Sequence, residues 1–198
     1  MTNQFETVPL GDIAYVFSGV PTKSSEQDDT AEERNVITVH ALGETGFEES
    51  GLTSVDFGKR SVDRYRVQAG DVLLPSRSTS LRTTIVPPNA AGKIINGNVI
   101  SIRLQPDLHP RILVAILNSP AGIEAIAGSS QSTTLQLNLT VRGLRDVQIP
   151  LIPVEQQHQL VALLEAADAV YLSAVHAAET RRQVAREIVN QRLTGKVK

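Results

Sequence analysis

The 198-residue chain contains no cysteine, no tryptophan and a single methionine. Without cysteine it has no disulfide, no thiolate zinc site and no cysteine nucleophile. Aromatic residues make up only 4% of the chain, whereas hydrophobic residues as a class make up 41% and charged residues 20%. Apart from the few aromatics, these proportions are ordinary for a soluble globular protein, and the length suits one domain with an appendage or two small domains.

Long apolar runs are also absent. No uninterrupted apolar segment approaches the roughly 20 residues that span a bilayer. The polar stretch at residues 1–6 lacks the basic and apolar regions of a secretory signal. We therefore expect a cytoplasmic location and no membrane partner.

The sequence lacks the motifs of enzymes that act on nucleic acids or nucleotides. Residues 86–89 (VPPN) are not the Asn-Pro-Pro-aromatic motif of a methyltransferase. A metal-dependent nuclease would have Glu-x-Lys downstream of Pro-Asp, but no such motif follows Pro106-Asp107. Ile94, rather than serine or threonine, follows Gly92-Lys93, so the phosphate-binding loop of nucleotide hydrolases is missing too. No zinc-ligand pattern occurs either. We expect no catalytic activity, no metal and no cofactor.

Charge is distributed unevenly, although the net charge is only −2. Residues 1–56 contain two bases and eleven acids, a net of −9, whereas residues 57–104 contain eight bases and two acids, a net of +6. The remainder is close to neutral, at +1. A basic stretch inside an otherwise acidic domain suits a protein that meets an anion on one face. A chance cluster on a solvated face would give the same pattern.

Three groups of hydrogen-bond donors in the basic stretch are candidate DNA contacts. Arginine can donate to guanine O6 and N7 together, asparagine can pair with adenine, and lysine, serine and threonine more often hold phosphates. The candidates are Arg77, Ser78, Thr79, Ser80 and Arg82 in the richest group; Lys93, Asn96 and Asn98 in the second; and Lys59, Arg60 and Arg64 in the third. A structural role remains open for Arg77, which follows a core strand, and for Asn96 and Asn98, which flank a glycine as hairpin residues do.

Hydrophobic patterning predicts an α+β fold. Short β-branched or alternating segments recur through residues 8–104, for example at residues 35–42 and 98–104, which predicts a β-rich region. Helices should follow at Pro110 and at Ser119-Pro120, where serine is a good N-cap and proline a good first residue. Thr140 is a candidate cap for one further turn up to Gly143. We predict a mixed domain at residues 1–153 and a helical segment at residues 154–198.

The C-terminal segment predicts one long helix. Residues 154–193 contain no glycine or proline and are rich in good helix formers. About 40 residues at 1.5 Å each give a rod of about 60 Å. Apolar residues spaced alternately by four and three form a coiled-coil-like seam, which Arg181 interrupts. The seam residues are Leu160, Leu164, Ala167, Tyr171, Ala174, Ala178 and Ile188. A seam this long favours pairing with another helix; the alternative is a helix folded back on its own domain.

Four short motifs, in their order and spacing, resemble the specificity subunits of type I restriction–modification systems. Residues 10–13 (LGDI) with 18–22 (SGVPT) are similar to the opening of a target-recognition domain, and residues 67–74 (VQAGDVLL) with Ser76-Arg77 to its "pGDvLl" strand. Residues 113–133 are similar to its helix and "gst" loop, and residues 149–157 (IPLIPVEQQ) to the junction with a long helix. The matches cover nearly the whole chain.

The resemblance implies a non-catalytic protein that binds double-stranded DNA and a DNA methyltransferase (modification) subunit, in some systems together with a restriction nuclease subunit. A full subunit of that family holds two recognition domains, each of which reads half of a split site, whereas this sequence shows one such unit and no internal repeat. We therefore expect a homodimer on a split, symmetric target. Two alternatives stay open, a protein–protein adaptor built on the long helix and a recognition module of another phage-defence methylation system.

Overall fold

The computed structural model describes residues 5–21, 33–43, 46–58, 61–129 and 137–195. The strands are β1 Thr7–Pro9, β2 Ala14–Ser18, β3 Glu33–Ile37, β4 Leu52–Asp56, β5 Val72–Pro75, β6 Arg77–Ser78, β7 Thr84–Ile85, β8 Ile94–Ile95, β9 Val99–Leu104, β10 Leu137–Asn138 and β11 Gln148–Pro150. The helices are α1 Leu10–Ile13, α2 Pro110–Asn118, α3 Pro120–Gly128, α4 Val141–Arg145 and α5 Val154–Leu193. A β-rich region followed by one long C-terminal helix confirms the predicted α+β class.

Two larger sheets contribute residues to a shared hydrophobic core cluster. One is antiparallel, in the order β2-β9-β5-β7, and the other has the order β4-β3-β8 with β3 and β8 parallel. Phe17, Leu73 and Val99 of the first sheet pack in one cluster with Ile37 and Ile95 of the second. The strands β1 and β11 form a separate antiparallel pair, as do β6 and β10.

The helix starts follow the capping residues that the sequence predicts. The Ser119 hydroxyl accepts a hydrogen bond from Gly122 N at 3.0 Å, and α3 begins at the next residue, Pro120. Thr140 caps α4 in the same way, accepting from Gly143 N at 3.0 Å. A side-chain acceptor at this position satisfies a backbone donor that has no partner within the helix.

The strand predicted at residues 35–42 is wrong in its second half. β3 ends at Ile37, and a 3-10 turn follows at Val39–Ala41. The Thr38 hydroxyl donates to Gly51 O at 2.8 Å and accepts from His40 N at 3.3 Å. A side chain that bonds backbone groups in this way competes with continuation of the strand.

A buried carboxylate at the start of β5 explains the Gly70-Asp71 motif. Gly70 has a φ of 89°, in the left-handed region that favours glycine. Asp71 is only 2% exposed and accepts two hydrogen bonds from Arg103, at 2.9 and 2.8 Å. It also accepts from Gln68 N at 2.8 Å. The pair joins β5 to β9, and its hydrogen bonds raise the pKa of Arg103 further.

A buried amide at the start of α5 explains the Glu-Gln-Gln motif. Gln157 is 3% exposed. Its Oε1 accepts from His109 N at 2.8 Å, and its Nε2 donates to Asp107 O at 2.9 Å and Ile152 O at 2.8 Å. One side chain thus satisfies three backbone groups from two segments.

We expect Gln157→Ala to lower the free energy of unfolding by about 2 kcal/mol, because it removes these bonds and leaves backbone groups without partners. The neighbouring Gln156 is exposed, so Gln156→Ala serves as a control with a change of less than about 0.5 kcal/mol. Urea unfolding of both variants checks this, and equal midpoints would contradict the bracing role of Gln157.

The chain divides into two compact units, Met1–Gln157 and His158–Lys198. The described part of the second unit is mostly α5, which the structure bounds at Val154 and Leu193, as the sequence predicts. By length and composition alone, α5 is the one single helix in the described residues that could cross a membrane. The pair of α2 and α3 passes the same test only if a helix pair bent by 77° counts as one span.

Candidate nucleic-acid interface

Three polar side chains converge on a groove that we call the amide groove. Asn138 lies opposite Arg77 in the antiparallel pair of β10 and β6. Ser76 N donates to Asn98 O at 2.8 Å, and Leu139 N donates to Ser76 O at 2.7 Å. These backbone bonds bring Arg77, Asn98 and Asn138 to one groove of about 550 Å³, although 61 residues separate the first and last of them in sequence.

The chemistry of the amide groove matches the edges of purine bases. Arg77 and Asn98 are exposed. A guanidinium can donate twice to guanine, and an asparagine amide can both donate to and accept from adenine. Ser18 and Thr140 also line the groove. Asn138 is not among the sequence-predicted contacts, because nothing in its local pattern shows that β10 pairs with β6.

Asn96 and Asn98, which the sequence groups together, have different roles in the turn between β8 and β9. The Asn96 Oδ1 accepts from Asn98 N at 3.2 Å, so this side chain helps to shape the turn. The Asn96 backbone N–H donates to Ile37 O at 3.0 Å. The Asn98 side chain lines the amide groove.

The rest of the richest donor group lines a second site, the hydroxyl cleft. This cleft has a volume of about 490 Å³, and its polar lining residues are His40, Glu48, Ser50, Ser78, Thr79, Ser80 and Arg82. The Ser78 hydroxyl donates to Ser80 O at 2.6 Å and accepts from Ser80 N at 3.2 Å, which holds the loop after β6. Arg77 and Arg82 therefore belong to different sites.

A third site, the basic cleft, gathers cations from three segments. Its lining residues are Arg34, Asn35, Arg66, Ala91, Gly92, Lys93 and Ile94, and its volume is about 490 Å³. Arg66 Nε donates to Asp63 at 2.8 Å, and its Nη1 donates to Gly92 O at 2.7 Å. Lys93 Nζ donates to Asn89 O at 2.8 Å. The hydrogen bond and charge of Arg66, with a smaller contribution from Arg34, lower the pKa of Asp63.

The third predicted group is described only in part. The Arg64 guanidinium lies over the Tyr65 ring, 4.6 Å from its centroid, and donates to the Tyr65 hydroxyl. Lys59 and Arg60 lie outside the described residues.

Arg103 contributes to the positive charge of residues 57–104, but its charge is compensated by the buried Asp71.

An exposed apolar stripe runs along α5. Of the predicted seam residues, Leu160, Tyr171 and Ile188 are between 40% and 57% exposed. Ala167, Ala174 and Ala178 are exposed, and Leu164 is partly exposed. Three apolar residues outside the predicted seam, Leu163, Val170 and Val184, follow the same seven-residue repeat on the flank of the seam and are 50–72% exposed. The stripe is therefore wider than the predicted seam.

The described residues contain no group of three or more histidine, aspartate or glutamate side chains placed to hold a metal ion. The three sites are instead open surfaces lined by hydroxyl, amide and cationic groups. Groups of this kind hold anions and base edges.

Three solved structures that share this fold are from type I restriction–modification systems. The crystal structure of the HsdS subunit from Thermoanaerobacter tengcongensis matches with a TM-score of 0.64 at 19% identity, covering 100% of this chain and 50% of that one. The S subunit from M. genitalium matches with a TM-score of 0.58 at 15% identity, covering 96% of this chain and 46% of that one. A chain from a structural study of complex assembly and conformational transition of the type I R-M system matches with a TM-score of 0.67 at 20% identity. The match covers 94% of this chain and 44% of that one.

No protein-family model matches the chain, and no curated protein is significantly similar to its sequence. The structural matches nevertheless confirm, at the level of fold, the resemblance that the four motifs indicate. The chain has the fold of a type I specificity subunit and spans about half the length of the structures it matches.

Proposed function

We propose that this protein is a sequence-specific, non-catalytic DNA-recognition subunit of a restriction–modification system. It reads one half-site of a split target and docks a DNA methyltransferase subunit, which performs the chemistry. The observation that carries the proposal is the match of nearly the whole chain to the fold of specificity subunits. The amide groove supports it, because its arginine and asparagine side chains are those that read purine edges.

We further propose that two copies pair through α5. Apolar side chains on a soluble helix are stabilised when another surface covers them. Part of the seam is symmetric about Ala174, which suits a second copy in antiparallel orientation. Leu160 and Ile188 lie fourteen residues on either side of it, and Ala167 and Arg181 lie seven residues on either side. An antiparallel partner centred on Ala174 would align these residues with their counterparts.

Charge supports the same orientation. Residues 154–180 contain four acids and no lysine or arginine, whereas residues 181–193 contain four arginines and one glutamate. An antiparallel pair places the acidic half of each helix beside the basic half of the other, and a parallel pair places like charges together. Complementary charge of this kind sets orientation in coiled coils. The acids Glu165 and Asp168 in the apolar stretch also favour an aqueous helix pair over a membrane span.

A pair of copies would present two identical readers to DNA. Two-fold protein symmetry matches a target made of inverted half-sites. The rod of about 60 Å corresponds to about 18 base pairs, which sets an upper limit on half-site separation. The methyltransferase, and a nuclease subunit where one is present, would be cytoplasmic partners of this pair.

Salt dependence distinguishes this proposal from the adaptor alternative, which the exposed stripe on α5 also favours. Binding of the full-length protein to a random-sequence duplex should weaken steeply as the potassium chloride concentration rises, because phosphate contacts release counterions. Fluorescence anisotropy across a salt series measures this. Failure to bind duplex DNA at low salt, or an affinity that does not change with salt concentration, would favour the adaptor.

We expect Arg77→Ala to weaken binding to the preferred DNA sequence by about 10- to 100-fold, while affinity for random duplex falls much less. In the described residues, the Arg77 side chain makes no hydrogen bond or ion pair, so its removal should leave stability unchanged. Arg145→Ala is the charge-matched control, since Arg145 is exposed and lines none of the three sites. An equal loss of affinity for the preferred and the random duplex would show that Arg77 contacts the DNA backbone rather than the bases.

A further inference from the structure

We infer that the basic cleft binds one backbone phosphate of the DNA whose bases the amide groove reads, an inference that rests on the proposed function. The cleft places Arg34, Arg66 and Lys93 around one opening. Asp63 accepts a hydrogen bond from the Arg66 guanidinium. Cationic side chains gathered around a concave site are the chemistry that binds a phosphate.

The cationic groups are positioned in advance. Two hydrogen bonds fix the Arg66 guanidinium, to Asp63 and to Gly92 O. Among the described residues these bonds use two of its five N–H groups, and the other three remain for a further acceptor. Lys93 gives one of its three protons to Asn89 O. A guanidinium that hydrogen bonds already hold in place loses little conformational entropy when an anion binds.

The parallel pairing of β3 and β8 assembles the cleft. Val36 pairs with Ile94, so Arg34, two residues before Val36, and Lys93, one residue before β8, lie at the same end of the paired segment. Asn98 of the amide groove follows the other end of β8, five residues beyond Lys93. Five residues span at most about 17 Å, so both sites can contact the same duplex, whose major groove is about 12 Å wide.

The test compares the salt dependence of binding for the intact protein and for Arg34→Ala, Lys93→Ala and the double variant, with Arg145→Ala as control. We expect the double variant to bind both preferred and random duplexes about tenfold more weakly, with a slope of log affinity against log salt that is shallower by about 0.9. The two charges share one phosphate, so their effects should not add. Thermal melting checks that each variant remains folded.

Two results would overturn the inference while the proposed function stands. One is a wild type whose DNA affinity depends steeply on salt and a double variant whose slope of log affinity against log salt is the same. The other is a loss confined to the preferred duplex, which would make these residues base readers. A wild type that binds no duplex at any salt would overturn both proposals.

A second arm separates DNA phosphate from a free anion. Inorganic phosphate is titrated into the wild type and the double variant, and the amide resonances of Gly92 and Lys93 are followed. A DNA-backbone site should show only weak, millimolar-range binding that the double variant loses. Tight phosphate binding together with an unchanged DNA salt slope would assign the cleft to a free anion and contradict the inference.

Discussion

Asp71→Ala is expected to lower the free energy of unfolding by about 3 kcal/mol, because it leaves the Arg103 guanidinium, 28% exposed, without its carboxylate partner. Gln68 N also loses its acceptor. For a chain of this size the loss corresponds to a fall in melting temperature of roughly 6–12 °C. Differential scanning calorimetry or urea unfolding measures it.

Two further variants test the reason for that loss. Asp63→Ala removes a carboxylate from a similar arginine contact, but Asp63 is exposed, so solvent should screen the effect and stability should barely change. In a double-mutant cycle, Asp71→Ala with Arg103→Ala should destabilise by less than the sum of the two single changes. A fully additive cycle would show that Asp71 does not act through Arg103.

Tyr171→Glu or Leu164→Glu is expected to convert the paired protein to monomers, because each places a charge inside the apolar stripe of both helices. The dissociation constant should rise by at least about 100-fold, which corresponds to about 2.7 kcal/mol. Light scattering at micromolar protein concentration should then give the mass of one chain. Binding to a two-half-site duplex should fall to that of a single half-site.

Ala169→Glu is the matched control for this experiment. Ala169 is exposed and lies away from the seam in the seven-residue repeat, so the same charge there should leave pairing intact. Pairing that survives Tyr171→Glu, or a wild type that is monomeric at high concentration, would refute the seam.

Local patterns predicted the parts of this fold that depend on neighbouring residues. Absence of glycine and proline set the bounds of α5, and Ser119 and Thr140 mark two helix starts because capping is a contact over three residues. The strand prediction at residues 35–42 failed where Thr38 bonds Gly51, thirteen residues away. A contact over that distance leaves no periodic signal.

The candidate sites depend more on distant pairing. Arg77 and Asn98 were identifiable as donors, but their convergence with Asn138 follows from the pairing of β6 with β10. Proximity in sequence groups Lys93 with Asn96 and Asn98, but β8 lies between Lys93 and the two asparagines. The structure places Lys93 with Arg34 and Arg66 in the basic cleft. Side-chain chemistry could be predicted from the sequence, whereas the grouping of side chains into sites required the sheet topology.

Selection of DNA from a duplex library tests the central claim most directly. The library carries two random segments separated by spacers of zero to about 18 base pairs, and the full-length protein is offered all of them at moderate salt. The account predicts enrichment of one short sequence and its inverted repeat at a fixed separation. Enrichment of no sequence, or of a single uninterrupted one, would contradict the reading of a split target by two identical copies.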